Sequence, residues 1–471
     1  MRKTKIICTL GPSSGSEEVI KELFKAGMNV GRMNMSHGSH ADHCKNITTF
    51  RKVRDELGIP AAVLLDTRGP EIRIGTFENG KAELSDGSEF ILTTEDKQGN
   101  NTTVSVTYED LPKELKEGSR VLINDGMIVL KVMNITDTEI HCEVIHGGIL
   151  TDRKGINIPE VDIQMEYLSD QDKSDLVFAA KEGVDYVAAS FMRTADDAKA
   201  VRNFLNENGG DDVKIIAKIE STQGIRNFEE ILPLVDGIMI ARGDMGVEVD
   251  YVFLPGIQKK IITRCVEEGK IVITATQMLE SMMNNPIPTR AEISDVANAV
   301  FDGTSAVMLS GESAAGRFPV QAVKTMAEIC EQAEEDYEHL PRVPVGYAMN
   351  ADDIVNAVSR AADSLAKDVH AKVIIAVTIS GNTASRMSKY LPSVPIIGST
   401  NNLKVYHQMA LYRGVQPMLR ESRDNMEDIF EHCVLRATEE GYVEKGDRIV
   451  LSAGVPIGEN RTNTIRVWNV E

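Results

Sequence analysis

The sequence predicts an α/β protein built on a closed (β/α)8 barrel, with a small β-barrel lid domain inserted into it and a separate C-terminal α/β domain. Three observations predict this. Eight short apolar strands alternate with amphipathic helices. Polar residues gather at the C-terminal ends of those strands. The alternation is interrupted once, by a β-rich stretch of about 100 residues, and resumes after a Pro-containing segment near residue 342.

The strands are 5–10 (KIICTL), 29–35 (NVGRMNM), 61–67 (AAVLLDT), 184–190 (VDYVAAS), 213–220 (VKIIAKIE), 237–244 (GIMIARGD), 270–277 (KIVITATQ) and 305–312 (SAVMLSGE). Near-continuous Val, Ile, Leu and Ala runs suit strands covered on both faces. Helical patterns at 16–27 and 169–183 open on Ser with acids in the first turn and close on Gly, which satisfies end groups and complements the helix dipole. A doubly wound sheet is the competing arrangement, but no Gly-x-Gly-x-x-Gly loop follows the first strand.

Residues 70–168 hold short β runs with Asp-Gly turns at 86–87 and 125–126. An insertion at that loop of the barrel stands over its active end, where it can act as a lid. The expected division is therefore 1–69 with 169–342 for the barrel, 70–168 for the lid and 345–471 for the last domain. That last domain begins with a helix over 351–367. It continues through strand 372–378, strand 395–399, helices 402–413 and 424–440, and strand 448–453.

The 471 residues carry a net charge of −20, which disfavours sequence-independent nucleic-acid binding and anionic membranes. No run approaches the ~20 apolar residues of a membrane span. Six scattered cysteines (8, 44, 142, 265, 330 and 433) read as reduced thiols of a cytoplasmic protein. The short apolar run before Gly11-Pro12 is too brief for a signal peptide.

In a barrel of this kind chemistry sits at the strand C-termini. Those ends carry Arg32, Asn34 and Ser36; Asp66 and Thr67, with Glu71 and Arg73 beyond; Ser190; Lys218 and Glu220; Arg242 and Asp244; Thr274 and Thr276; Ser310 and Glu312. Lys218 and Glu220 are two residues apart, so a strand points both to one side. One such pair reads best as a structural ion pair; seven polar strand ends read as a site. Glu220 and Asp244, on adjacent strands, suit Mg²⁺, which keeps waters and needs few protein oxygens. Zinc is disfavoured, since His37 is the lone histidine near these ends and no thiolates cluster there. Arg32, Arg73, Lys218 and Lys154 are cations for phosphate. Asn34, Ser36, Asp66 and Thr67 offer oxygens for a monovalent cation, although spacing alone is better explained by a hydrogen-bonded turn. With no nucleophile–base pair evident, the set points to phosphoryl transfer by positioning and electrostatics.

At these residues the chain resembles the pyruvate kinases. The motifs are KIICTLGP (5–12), MNVGRMNMSHG (28–38), LDTRGPEIR (65–73), AKIE (217–220), ARGDMG (241–246), ITATQML (273–279), PTRAE (288–292), DVANA (295–299) and MLSGES (308–313). The resemblance is specific to about residue 320 and weaker beyond.

It implies phosphoryl transfer from phosphoenolpyruvate to ADP, giving pyruvate and ATP in glycolysis. Arg32 would bind the phosphoryl group. Glu220 and Asp244 would ligate Mg²⁺. Asn34, Ser36, Asp66 and Thr67 would hold K⁺ instead of forming a mere turn, and Glu71 accompanies K⁺ dependence. Arg73 and Lys154 would meet the nucleotide. The Gly243 backbone and Thr276 would contact the substrate carboxylate. Lys218 would stabilise the developing enolate oxygen. Thr276 would pass a proton through water, with Ser310 and Glu312.

Departures are Met35, Arg68 and Met245, where Phe, Lys and Leu are common; none removes a charge or ligand. The resemblance also implies an allosterically regulated homotetramer. A sugar-phosphate or nucleotide effector would bind at Thr378, Ser380, Asn382, Thr383 and Ser385, under a loop at 452–463. From the residues alone, hydroxyls and Gly before a helix are equally an ordinary cap. Two other readings compete: a metal-dependent lyase or mutase acting on pyruvate-like enolates, which would share Glu220, Asp244 and an arginine but need no nucleotide lid, and a catalytically silent metabolite sensor using the C-terminal domain, which predicts losses at the strand ends where none is visible.

Overall fold

In the computed structural model, all residues except 340–352, 424 and 456–461 are described. The segment expected to join the barrel to the last domain, and most of the 452–463 loop, therefore lie outside the described residues.

Eight parallel strands close into a ring: β1 (Lys5–Thr9), β2 (Val30–Asn34), β3 (Ala62–Asp66), β4 (Tyr186–Ala189), β5 (Lys214–Ile219), β6 (Gly237–Ala241), β7 (Ile271–Ala275) and β8 (Ala306–Leu309). Closure is made by β8 against β1, with Lys5 opposite Ala306 and Cys8 opposite Leu309. Alternate residues take opposite roles. Ile6 and Cys8 pack outward under the helices, while Ile7, Leu64, Ile216, Met239, Ile273 and Met308 fill the interior. Helices are fixed at their starts by reciprocal caps, as at Ser39 with Asp42, Ser169 with Asp172, Thr194 with Asp197 and Thr289 with Glu292.

All eight strands end sooner than the sequence suggests, and two of them, β6 and β8, do so by the widest margin. β6 stops at Ala241, and Arg242–Glu248 is a helix; β8 stops at Leu309, and Gly311–Ala314 is a helical turn. Arg242, Asp244 and Glu312 thus stand on short helices beyond the sheet.

Between β3 and the helix Asp170–Glu182 lies a seven-stranded sheet with edge strands Ile72–Arg73 and Thr103–Ser105, plus a two-stranded pair. The two edges meet. Ile74 bridges Val106, Gly75 N–H donates to Ser105 O at 2.8 Å, and Thr107 N–H donates to Arg73 O at 2.9 Å. The insertion is thereby a small closed barrel with its own core of Phe90, Leu92, Val121, Leu130, Val132 and Ile140.

The last domain has a five-stranded sheet ordered 415–419, 396–400, 374–377, 448–453, 464–469, with only the last strand antiparallel. The strands Val415–Leu419, which contains Pro417 on the sheet edge, and Thr464–Asn469 are not among those expected from the sequence. The helix expected over 402–413 spans Leu403–Gln408, followed by one tight 3-10 turn, because Gly414 reverses the chain at φ +68°.

This domain closes the barrel's N-terminal end. Tyr186, inside the ring, donates its hydroxyl to Gln408 O at 2.6 Å, and the buried Lys5 ammonium donates to Val415 O at 2.7 Å. Every open approach to the polar strand ends is consequently from the opposite, lid-covered side.

Candidate active site

Asp66 is the hub of the barrel mouth. It is fully buried at the end of β3. Arg32 Nε donates to its Oδ2 at 2.7 Å; Lys218 Nζ and Ser190 Oγ donate to its Oδ1 at 3.0 and 3.2 Å. Although burial opposes ionisation, the flanking Arg32 and Lys218 charges hold the Asp66 carboxyl below its ordinary range. Arg32 also donates to Thr9 Oγ1 at 2.8 Å, and Lys218 to Ser190 Oγ at 2.7 Å. Both cations are buried and each has more than one anchor, so neither swings freely.

Glu220 follows β5 directly. Its Oε2 accepts the Phe191 N–H at 2.6 Å, and Phe191 adopts φ +51°. Its Oε1 lies 3.1 Å from Lys218 Nζ but has no aligned hydrogen-bond donor. Burial, with Asp244 adding repulsion, pushes the Glu220 carboxyl well above the ordinary range despite Lys218. For Lys218, the Asp66 and Glu220 carboxylates outweigh burial and keep the ammonium charged.

A cation between Glu220 and Asp244 would satisfy both the orphaned oxygen and the like-charge repulsion. Two carboxylates suit Mg²⁺, which takes its remaining oxygens from water and substrate. Among the described residues no three His, Cys, Asp or Glu side chains form a metal cluster.

The turn after β7 is conformationally strained. Thr276 and Gln277 both adopt positive φ, +67° and +54°. Arg242 spans this turn, donating from Nη2 to Thr276 O at 2.7 Å and from Nε to Ala275 O at 3.3 Å, and it pairs with Asp295 at 2.7 Å. Arg242 therefore faces the protein and not the substrate space. Thr276 Oγ1 accepts the Gly243 N–H at 2.8 Å and donates to Ala275 O at 2.6 Å. The two groups expected to meet a carboxylate are bonded to each other here, and a bound carboxylate would have to displace this bond. The Ser310 hydroxyl is buried without a partner, while Glu312 accepts the Ser310 and Leu279 N–H groups at 2.8 and 3.1 Å.

The Asn34 group is assembled as the turn its spacing suggests: Asn34 Oδ1 accepts the Ser36 N–H at 3.2 Å. Thr67 Oγ1 accepts the Ser190 N–H at 3.2 Å. All four side chains present oxygen, and Asp66 alone is charged, a donor set that fits K⁺ chemically.

Between mouth and lid lies a cleft of about 400 Å³, lined among others by Glu71, Arg73, Lys154, Arg193, Asp244 and Glu248. Arg73 is bidentate to Glu71 Oε2, at 2.6 and 3.0 Å, and donates to Arg153 O at 2.7 Å.

Three residues here were missed by sequence analysis. Arg193 donates to Ile163 O and Met165 O at 3.0 and 2.7 Å, tying down the lid's return segment. Asn157 on the lid donates to Glu248 Oε1 at 3.1 Å. Their signal was position: Arg193 is three residues past Ser190, and Glu248 one helical turn past Asp244.

The effector-loop residues do not form one cradle. Thr378 Oγ1 accepts the Gly381 N–H at 2.9 Å, and Thr383 bonds Thr462 at 2.8 Å. Ser380 is half-buried at the turn. Ser385 points the other way, donating to Gly269 O of the barrel at 3.2 Å, and Asn382 lines the same interdomain seam.

Comparison with known proteins agrees with the geometry. The profile described as "Pyruvate kinase, barrel domain" matches residues 1–323, and that described as "Pyruvate kinase, alpha/beta domain" matches residues 356–468. The chain is 45% identical over 473 residues to a pyruvate kinase of Clostridium acetobutylicum, covering 100% of both. It is 44% identical over 467 residues to one of Staphylococcus haemolyticus, covering 99% of this chain and 80% of the relative. A crystal structure of a pyruvate kinase from Cryptosporidium parvum superposes with a TM-score of 0.92 at 38% identity, covering 100% of this chain and 96% of that one.

Proposed function

The chain belongs to the pyruvate kinase family and is a phosphotransferase, and from that premise we propose which residues transfer the phosphoryl group from phosphoenolpyruvate to ADP. Arg32 binds the phosphoryl group. Thr276 and the Gly243 N–H take the substrate carboxylate after parting from each other. Arg73 and Lys154 meet the nucleotide in the cleft. Glu220 and Asp244 would hold Mg²⁺, and Asn34, Ser36, Asp66 and Thr67 would hold K⁺, with Glu71 marking that dependence; Mg²⁺ bound there would supply neutralisation of the charge on the transferring oxygens.

As a β-phosphate oxygen of ADP bonds to phosphorus, the bond from phosphorus to the enol oxygen breaks and its electron pair stays on that oxygen as an enolate. The Lys218 ammonium, already fixed by Asp66 and Ser190, stabilises that charge without reorganising. Carbon then takes a proton passed from Thr276 through water, with Ser310 and Glu312 behind it. Pyruvate and ATP leave.

The supporting observation is the Asp66 hub, in which the Arg32 guanidinium of β2, the Asp66 carboxylate of β3 and the Lys218 ammonium of β5 meet at one rim.

The proposed domains are 1–69 with 169–342, 70–168 as the lid, and 345–471 as a regulatory unit taking a sugar-phosphate or nucleotide effector near Thr378, Ser380 and Thr383. Exposed Tyr251, Val252, Phe253 and Ile287 support self-association, which the family resemblance would make a homotetramer. Among the described residues no helix is long and apolar enough to cross a membrane, and all six thiols are free, which supports a cytoplasmic glycolytic role.

The test is pyruvate formation with Mg²⁺, with and without K⁺ and ADP. ADP-dependent formation that falls without K⁺ is expected. ADP-independent formation would favour the lyase reading, and indifference to K⁺ would remove the roles given to Glu71 and the Asn34 group.

A further inference from the structure

The seam between the foot of the barrel and the C-terminal domain concentrates positive charge in a chain whose net charge is −20. A cavity of about 90 Å³, roughly three times a water's ~30 Å³ share of the liquid, is lined there by Lys214, Lys270, Arg386, Asn382, Ser385 and a single carboxylate, Asp236. A smaller adjoining cavity shares Lys270 and Ser385 and adds Lys389 and Arg413.

The hydrogen-bond partners of Lys214, Lys270 and Arg386 are neutral and do not cancel their charge. Lys270 donates to Val235 O at 2.6 Å and Arg386 to Glu268 O at 2.9 Å, both neutral carbonyls. Lys214 bonds the Tyr412 hydroxyl. Asp236 is shared with Arg202 at 3.6 Å and accepts the Ile215 N–H at 2.9 Å. Glu267 and Glu268 pair with Arg264 outside the seam. The ammonium groups of Lys270 and Lys389 sit below their ordinary range, first through burial, with Arg386 adding to both against the opposing pull of Asp236 on Lys270 and Glu268 on both, whereas Lys214, though buried, sits above its range because Tyr412 and Asp236 outweigh that burial. Like charges held together at a part-buried boundary are relieved by an anion.

We propose that this interdomain seam binds a phosphate group, held by Lys214, Lys270 and Arg386 with Asn382 and Ser385 as neutral donors. The site is distinct from the barrel mouth and from the effector position proposed at Thr378, Ser380 and Thr383, although Asn382 and Ser385 belong to the same stretch of chain. It also has a mechanical connection to catalysis. Lys214 opens β5, which leads to Lys218 and Glu220. Asp236 precedes β6, which leads to Asp244. Lys270 precedes β7, which leads to Thr276. Three adjacent strands thus start at the seam and finish in the reaction site.

The test is calorimetric titration of the full chain with inorganic phosphate, with Mg²⁺, K⁺ and phosphoenolpyruvate saturating the mouth. Replacing Lys270→Gln and Arg386→Gln together is expected to weaken phosphate binding at least tenfold. Thr378→Ala with Thr383→Ala should leave it unchanged, and Asp236→Asn should tighten it, a gain that damage to the fold would not produce. Repeating the titration with ribose 5-phosphate separates the sources: tighter binding than inorganic phosphate marks a metabolite, weaker binding the free anion. Wild type that takes up no phosphate, a Lys270/Arg386 variant that binds like wild type, or an Asp236→Asn variant with no gain would each overturn the assignment.

Discussion

Lys218 Nζ stands 3.0 Å from Asp66 Oδ1, although 152 residues separate the two in sequence. The contact fixes the ammonium at the rim before any substrate arrives. Lys218→Met is therefore expected to lower turnover by at least ~10²–10³-fold, the loss typical when one preorganised donor is removed. Phosphoenolpyruvate binding should be largely kept. A coupled pyruvate assay with a direct binding measurement checks both, and an unchanged rate would take Lys218 out of the mechanism.

Arg242 grips the carbonyl of Thr276 at 2.7 Å across a turn of two positive-φ residues. Releasing it should let the turn relax and misplace the Thr276 hydroxyl, and a 1 Å misplacement can cost on the order of 10²-fold. Arg242→Gln should lower kcat more than it raises KM. In a Thr276→Ala background the same substitution should cost much less, because the group it positions is gone. Additive losses in the double variant would show that Arg242 acts elsewhere.

The lid touches the Asp244 helix through Asn157 and Glu248 at 3.1 Å. Asn157→Ala removes this one hydrogen bond, worth about 0.5–1.5 kcal/mol. The expected result is a KM for ADP raised up to roughly tenfold, with kcat little changed. Steady-state kinetics in ADP decide it; an unaltered KM would mean the contact does not govern closure.

His407 is buried where the C-terminal domain meets the barrel, with neither ring nitrogen bonded. Burial, with Arg54 adding repulsion, lowers its pKa from 6.5 to about 4. The folded chain thus binds fewer protons than the unfolded chain between those values. Stability is full above pH 6.5 and is lost as pH falls toward 4. His407→Leu should flatten the fall in Tm between pH 6.5 and 5. Equal slopes for the two proteins would exclude this histidine as a source of acid sensitivity.

Much of the fold is legible because its signals are local. Strand runs, Ser and Thr caps and Asp-Gly turns depend on a few neighbouring residues. The polar strand ends were legible for the same reason, since alternation with period two fixes which residues share a face. The strands at 415–419 and 464–469 were not, because one carries a proline and the other is a half-exposed edge. Their pairing depends on a neighbouring strand and not on their own composition.

By itself the sequence determined the eight strand–helix units, the interruption between them and the residue types at each strand end, all set by chain-local patterning. Only the tertiary structure decided that Asp66 joins Arg32 to Lys218, that Arg242 turns inward to brace Thr276, and that Ser385 faces the barrel instead of its own loop. Those are contacts between distant segments, and closing the ring and docking the last domain is what brings their partners within hydrogen-bonding reach.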